Sequence, residues 1–336
     1  MDVLNAFVLL ANFLIIPGIT YGCQLALGAL GVTLIYGVLR FSNFAHGESM
    51  AFGTMITILF TWLLQSWGVS LGPLPVALLA IPVGVAACIL LLLGTDKLVY
   101  TFYRKQKSTP VILLIASLGV MFFYNGLIRF VIGPDDRIFT DGSRFIITAR
   151  EFREMTGLEQ GLAFKMTQGI TIAVTIICVA ALFWFLNRTR TGKSMRAYSD
   201  NEDLALLSGI NPDRVVMIAW ILTATLATIA GTLYGLDKSF KPFTYLQILL
   251  PIFAAAIVGG LGSPIGAIAG GFVIALSEVF VTFAYKRFLG YLLPEEWAPE
   301  GLVQLLSTDY KFAVSFAILV IVLLVRPTGI FRGQTI

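Results

Sequence analysis

Charged residues are missing from long stretches of this chain and crowded into short ones. Val3–Leu39, Met50–Thr95 and Pro242–Ser277 run for 37, 46 and 36 residues without Asp, Glu, Lys or Arg. A membrane-crossing helix needs about 20 apolar residues to cover roughly 30 Å of hydrocarbon, so none of the three is a single simple pass. At about 1.5 Å per residue the first would reach about 55 Å as one helix, and Pro17-Gly18 offers a break. The pattern predicts a short first element over Val3–Ile16, whose length fits a short pass, a re-entrant piece or an interfacial helix equally, and a full span over Ile19–Leu39. Spans at about 50–67 and 74–94 follow, divided by Gly68, Gly72, Pro73 and Pro75. Next come Thr109–Phe130, Met166–Leu186 and Val215–Leu236. Gly259–Pro264 splits the following run into about 243–258 and 265–284, and Phe312–Val325 closes the series. The fold class is therefore an all-α polytopic membrane protein in one domain over 1–336. It has about nine transmembrane helices plus the short N-terminal element, with eight to ten compatible.

Composition agrees with this reading. Only 12% of residues are charged against 57% hydrophobic, where soluble domains carry about 25% charged residues. Cys23, Cys88 and Cys178 each sit in an apolar run and make neither a disulfide framework nor a metal site. The net charge of +4 gives no reason to expect a nucleic-acid partner. Met1-Asp2 lacks a basic leader and the apolar run goes well past a short signal core, so the N-terminus is expected to be retained.

The distribution of basic residues sets the orientation. Placing 95–108, with Lys97, Arg104, Lys105 and Lys107, in the cytoplasm puts 40–49, 187–214, 259–264 and the C-terminus there too. Those segments hold twelve Lys/Arg against six Asp/Glu, while the opposite loops are balanced at eleven each, as the positive-inside rule requires. The external segments are then 131–165, turning at Gly133-Pro134 and Gly142, and 285–311. The first reads as a solvated cap or as a docking surface for an external partner.

The polar interruption Asn187–Arg214 carries Arg188, Arg190, Lys193 and Arg196, then Asp200, Glu202 and Asp203 ahead of Leu204, Ala205, Leu206, Leu207 and Ile210. A short amphipathic helix is expected, capped by Ser199 or Asp200 and ended by Gly209, with Leu206 and Ile210 on one face. Such a helix rests at the headgroups or docks on a soluble protein as a lever between two spans. Gly192-Lys193-Ser194 is no phosphate loop, because position 187, where the Walker pattern needs Gly, is Asn. No nucleotide site, nucleophile–base pair or carboxylate pair is evident, so an enzyme is not expected.

Four further residues are candidates for a gate or path. Asn43, His46 and Glu48 lie in Arg40–Glu48, between two spans, where they either satisfy a structural turn or share in translocation. One His and one Glu make a poor metal site. Gly259–Gly266, GGLGSPIG, looks like a counterpart late in the chain; irregular backbone in membranes is tolerated inside protein or along a water path, and paired broken helices often mark transporter sites, though a plain hairpin at the surface serves equally. Glu278 is the acidic residue well inside a span, which makes it a bundle-pairing or path residue. Asn125 is a milder case.

These segments resemble a known family. Gly37-Val-Leu-Arg40 with Asn43-Phe-Ala-His-Gly-Glu48, Leu207-Leu-Ser-Gly-Ile-Asn-Pro-Asp-Arg-Val215 followed by Ala227–Gly231, Ala256–Gly266 and Leu324–Phe331 are similar, in that order, to the signature of the membrane subunits of branched-chain amino acid ABC importers, the LivH-like permeases. The likeness runs from about Asn12 to Arg332. It implies a permease that pairs with a second homologous permease, is driven by two cytoplasmic ATPase subunits that bind ATP and Mg, and receives substrate from a periplasmic or lipid-anchored binding protein. It also implies that Ala205, Leu207, Gly209, Ile210 and Asn211 contact the ATPases, that this chain needs no cofactor of its own, and that it sits in a bacterial inner membrane with its C-terminus in the cytoplasm. Relatives carry urea, short amides or other amino acids as well, and an ion-coupled transporter using Glu278 and 40–48 is the alternative of another class. Phe41-Ser42, the long outer loop and the insert Leu289–Leu306, with Pro294-Glu-Glu and Trp297, depart from the family pattern.

Overall fold

The computed structural model describes residues 2–139, 142–292, 301, 303–326 and 328–331. Pro294-Glu-Glu, Trp297 and Pro327 therefore lie outside the described residues. Among those described, nine helices are long and apolar enough to cross a membrane. We number all helices of a turn and a half or more in chain order: α1 Asp2–Leu39, α2 His46–Ser66, α3 Ala77–Lys105, α4 Pro110–Ile132, α5 Ala149–Thr156, α6 Met166–Arg188, α7 Arg190–Asp200, α8 Glu202–Leu207, α9 Pro212–Asp237, α10 Pro242–Gly259, α11 Pro264–Thr282, α12 Lys286–Leu292 and α13 Lys311–Val325. Two short strands, β1 Phe145–Ile147 and β2 Phe164–Lys165, pair antiparallel.

The expected break at Pro17-Gly18 does not occur. α1 runs for 38 residues, about 57 Å at 1.5 Å per residue. A π-helical turn over Ala11–Ile15, in which the Ile16 N–H reaches the Ala11 carbonyl, precedes the proline. That wider turn makes room for a ring that would strike the backbone one turn back in a regular helix, and Pro17 then opens the next regular segment. The separate N-terminal element is thus the first part of one long helix. Asn5 and Asn12 accept backbone N–H groups of Gln160 and Ala163 there, at 3.2 and 3.1 Å. α3 likewise continues past its expected end through a π turn at Asp96–Tyr100. Asp96 holds Arg104 by bonds of 2.5 and 3.2 Å, so much of the basic 95–108 segment is helical.

α1 is the centre of the bundle, in contact with α6, α9, α10 and α11. Glycines let neighbours approach closely, as small residues do in membrane helix pairs. A Cβ on Gly18 would meet Leu276 at 2.8 Å, and one on Gly28 would meet Ile252 at 2.7 Å. Threonines in α2 return their hydroxyls to carbonyls one turn back, Thr54 to Met50 and Thr57 to Gly53 at 2.8 Å each, which satisfies them without water. Large apolar side chains such as Leu90, Phe123, Phe130 and Ile177 face outward, as a lipid solvent demands.

Helix ends segregate into two sets. One end, called basic here, gathers the ends of α1, α3, α6 and α10 with α7 and α8; residues 328–331 join it, Ile330 donating to Val258 at 2.8 Å. At the far end Arg137 and Phe240 exchange backbone bonds of 2.8 and 2.7 Å, and Ser143 reaches Pro73 at 2.9 Å. The described residues of the 131–165 segment thus fold over the far end of the bundle, turning through positive φ at Gly133 and Gly142.

Candidate functional site

The segment between α6 and α9 is built from a chain of caps. Thr189 Oγ1 accepts the Gly192 N–H at 3.0 Å and starts α7. Gly192 is buried against the backbone of Phe185 and Leu186, where no side chain fits. Met195 and Tyr198 turn inward. The cap of α8 is neither Ser199 nor Asp200, as expected, but Asn201, whose Oδ1 accepts the Leu204 N–H at 2.9 Å. The reason is that the basic run itself becomes α7, which extends through Asp200 and takes Ser199 into its last turn. Asn201, extended at φ −153°, is the first residue free to cap.

The other end of α8 is sealed as firmly. Gly209 at φ +78° donates to the Leu206 carbonyl at 3.0 Å, and Ile210 to Ala205 at 3.1 Å. These two bonds make the Schellman arrangement, which calls for a left-handed residue where Gly209 stands. Asn211 then caps α9 by accepting the Arg214 N–H at 3.2 Å. Between these seals Leu204, Leu206 and Leu207 are 61%, 42% and 85% exposed, while Ala205 is 3% exposed. Leu206 and Ile210 do not share a face, because the helix ends at Leu207 and Ile210 turns back against the bundle. Of the five residues expected to meet a partner, Leu207, Gly209 and Asn211 lie on the surface, Ile210 is half-buried and Ala205 faces inward.

Burial and the adjacent Glu202 carboxylate push the Tyr198 phenol above its ordinary value, and its hydroxyl donates to Glu202 Oε1 at 2.6 Å. That bond clamps α7 to α8. Beneath α7, Gly37, Arg196, Ser199 and Ser263 line a cavity of about 450 Å3.

The clamp is tied to the broken segment near residue 40. Arg40, left-handed at φ 57°, ends α1, and its guanidinium donates to the Ser199 carbonyl. The chain then turns back into the bundle. Phe41 and Asn43 are buried, and Tyr100 donates to Asn43 Oδ1 at 3.2 Å while stacking on Trp220 at 5.3 Å. α2 begins at His46, with Glu48 in its first turn, four residues before the expected start of that span. His46 Nε2 lies 3.0 Å from the Gly28 carbonyl, which places the ring proton on Nε2. Gly28 is 11 residues before Leu39, so α2 starts about 16 Å inside the end of α1. A Cβ on Gly31 would fall 2.6 Å from His46 Cε1, and one on Gly47 would fall 2.7 Å from the Tyr245 carbonyl. Glu48 Oε1 accepts from Asn125 at 2.9 Å; its Oε2 and His46 Nδ1 have no partner among the described residues.

Asn43, His46 and Glu48 thus form one buried cluster. Gly259–Gly266 takes the form of the plain hairpin. Gly260 and Gly262 take positive φ, Ser263 caps α11 by accepting the Gly266 N–H at 3.2 Å, and the result is a tight turn between two helices. Glu278 belongs to a separate cluster toward the far end, where it accepts from Ser315 with Tyr21 and Lys311 beside it. Nothing in the sequence singles out Tyr21, Ser315 or Asp237. Asp237 reads in sequence as an ordinary charge at a span end, and only the pairing of distant helices brings the others to Glu278.

The chain as a whole is similar to known transport permeases. Residues 14–323 match the family model described as branched-chain amino acid transport system / permease component. The chain is 30% identical over 322 residues to the high-affinity branched-chain amino acid transport system permease protein LivH of Escherichia coli (strain K12), covering 93% of this chain and 92% of that protein. It is 28% identical over 324 residues to the corresponding protein BraD of Pseudomonas aeruginosa, covering 94% of each. A fructose import permease protein, FruG of Bifidobacterium longum, is 26% identical over 202 residues, 59% of this chain and 56% of its own length. No solved structure matches the chain.

Proposed function

This chain belongs to the family of branched-chain amino acid transport permease components, and from that premise we propose that it forms, with a second homologous permease, the membrane channel of an ATP-driven importer for branched-chain or other hydrophobic amino acids. It is a multi-pass membrane protein of the amino-acid transport class. In our reading two separate ATPase subunits bind ATP and Mg on the basic side, which is the cytoplasmic face of a bacterial inner membrane and holds the C-terminus. A periplasmic or lipid-anchored binding protein delivers substrate at the far end, onto the folded 131–165 segment.

The observation that carries this reading is α8. A six-residue helix is too short to persist alone, yet this one is capped at both ends and tied to α7. It presents Leu204, Leu206 and Leu207 to solvent. Three exposed leucines on a rigid support suit insertion into a groove of a soluble protein. The Arg40–Ser199 bond links this support to the Asn43–His46–Glu48 cluster, giving a route by which movement of a docked ATPase reaches the start of α2. The test is a cysteine at Leu207 in the assembled complex. Crosslinking to an ATPase subunit that changes with nucleotide supports the reading, whereas the same yield with a lipid-headgroup reagent in every nucleotide state, and none with the ATPase, overturns it.

A further inference from the structure

Toward the far end, α1 and α11 enclose a crevice whose two halves differ sharply in chemistry. The deeper half is a cavity of about 170 Å3 that Tyr21, Asp237, Lys238, Glu278 and Lys311 help to line. Two carboxylates and two ammonium groups line it, Asp237 and Lys238 already paired at 3.6 Å, so the lining is charge-balanced. Glu278 is 1% exposed and the Asp237 side chain 8% exposed. Yet Glu278 Oε2 and Asp237 Oδ1 are buried with no hydrogen-bond partner among the described residues, and the Tyr21 hydroxyl is buried facing Glu278. Buried polar atoms normally find partners, and leaving a charged one unmet costs more than leaving a neutral one.

Lys311 is also incompletely engaged. Its Nζ lies 4.7 Å from the Phe312 ring centre and 5.7 Å from that of Tyr21, and it makes no ion pair within 4 Å among the described residues. The second half adjoins the first, sharing Val279 and Thr282. It has a volume of about 300 Å3, with Leu9, Phe13 and Phe283 on its walls and Arg287 as its one charged lining residue. Leu9, Phe13, Pro17 and Tyr21 are spaced by four and so form one stripe along α1, apolar first and polar further in.

We propose that this crevice is a binding site for a zwitterionic α-amino acid with an aliphatic side chain. Glu278 and Asp237 take the ammonium, Lys311 with Lys238 takes the carboxylate, and the apolar half takes the side chain. Opposed charges at one end and an apolar wall at the other match a zwitterion with an apolar side chain, whereas an uncharged amide carries no charge to pair with either. The site deepens the amino-acid import reading and rests on it, and gives Glu278 a role as the ammonium acceptor.

The test uses the permease assembled with its second permease and ATPases in nanodiscs, without binding protein. Binding is measured for L-leucine, for 4-methylpentanoate, which lacks the ammonium, and for 3-methylbutylamine, which lacks the carboxylate. Glu278→Gln retains an acceptor for Ser315, and a melting curve checks its fold. Loss of one charge-assisted hydrogen bond corresponds to about tenfold or more in affinity. Glu278→Gln should therefore weaken L-leucine and 3-methylbutylamine by at least that factor and leave 4-methylpentanoate unchanged. Lys311→Met should weaken L-leucine and 4-methylpentanoate and spare the amine. Equal effects on all three ligands, or no L-leucine binding by a wild-type complex that still imports leucine when given its binding protein, would overturn the site and leave the import reading standing. A complex that imports no amino acid with its binding protein would overturn both.

Discussion

Replacing Leu207 separates docking from folding more cleanly than any other change in the molecule. Its side chain is 85% exposed, so Leu207→Ala removes almost no contact within this chain and should shift its own stability by no more than about 0.5 kcal/mol. If Leu207 enters a groove on an ATPase subunit, full burial of a leucine side chain contributes about 1.5–3 kcal/mol. At 1.4 kcal/mol per tenfold, Leu207→Ala should weaken ATPase association about 10- to 150-fold. Leu207→Asp also buries an unpaired carboxylate, at a cost of several kcal/mol more, and should abolish association while the permease stays inserted and melts normally. The assay is titration of purified ATPase subunits onto the permease pair in nanodiscs, read by fluorescence anisotropy. Ala205→Asp is the contrast, since Ala205 is 3% exposed and its replacement should lower the melting temperature itself. Unchanged ATPase affinity in Leu207→Asp would refute the docking assignment.

Other consequences follow from the buried cluster and from the 131–165 segment. Gly31→Ala puts a Cβ 2.6 Å from His46 Cε1 and should cost about 1–3 kcal/mol by overpacking; in thermal melts, adding His46→Ala should recover part of that loss. Asn125→Leu strands the Glu48 carboxylate and should be more destabilising than Glu48→Leu with Asn125→Leu, because leaving one buried partner unmet is worse than removing both. Equal melting temperatures would show that the Asn125–Glu48 bond contributes nothing. Glu151 is held below its ordinary value by the Thr148 N–H and hydroxyl. A depressed carboxyl stabilises above its unfolded pKa, and that contribution is lost as pH falls through the folded pKa. Amide protection of α5, corrected for intrinsic exchange, should therefore hold through neutral and mildly acidic pH and fall only in acid, while loss on raising the pH would contradict the capping role.

The spans were legible because exclusion of charge from hydrocarbon is a strong and local constraint; Met166–Leu186 and Val215–Leu236 fall within helices that extend them by a few residues, and Thr109–Phe130 lies within α4 but for Thr109, which precedes its first turn. What misled was local chemistry with a non-local solution. Pro17 reads as a break, but one π turn absorbs it and α1 continues. Arg40–Glu48 reads as a short link between spans, and nothing in its residues says that Phe41 and Asn43 are drawn inward or that His46 meets Gly28. Ser199 and Asp200 are good caps by type, and lost the position because α7 had already taken them. Glu278 stood out as a carboxylate in a span, but Tyr21, Asp237 and Lys311 come from other helices, up to 257 positions away in the case of Tyr21, and no local pattern pairs them.

Under the proposed function, substrate moves only when a separate ATPase, docked through α8, hydrolyses ATP. Proteoliposomes holding the permease pair and ATPases, with the cognate binding protein outside and radiolabelled L-leucine as substrate, test it directly. Uptake should require ATP and the ATPase subunits on the α8 side, and should vanish with Leu207→Asp. Leucine accumulation driven by a proton or sodium gradient, by the permease alone and without ATP, would contradict it.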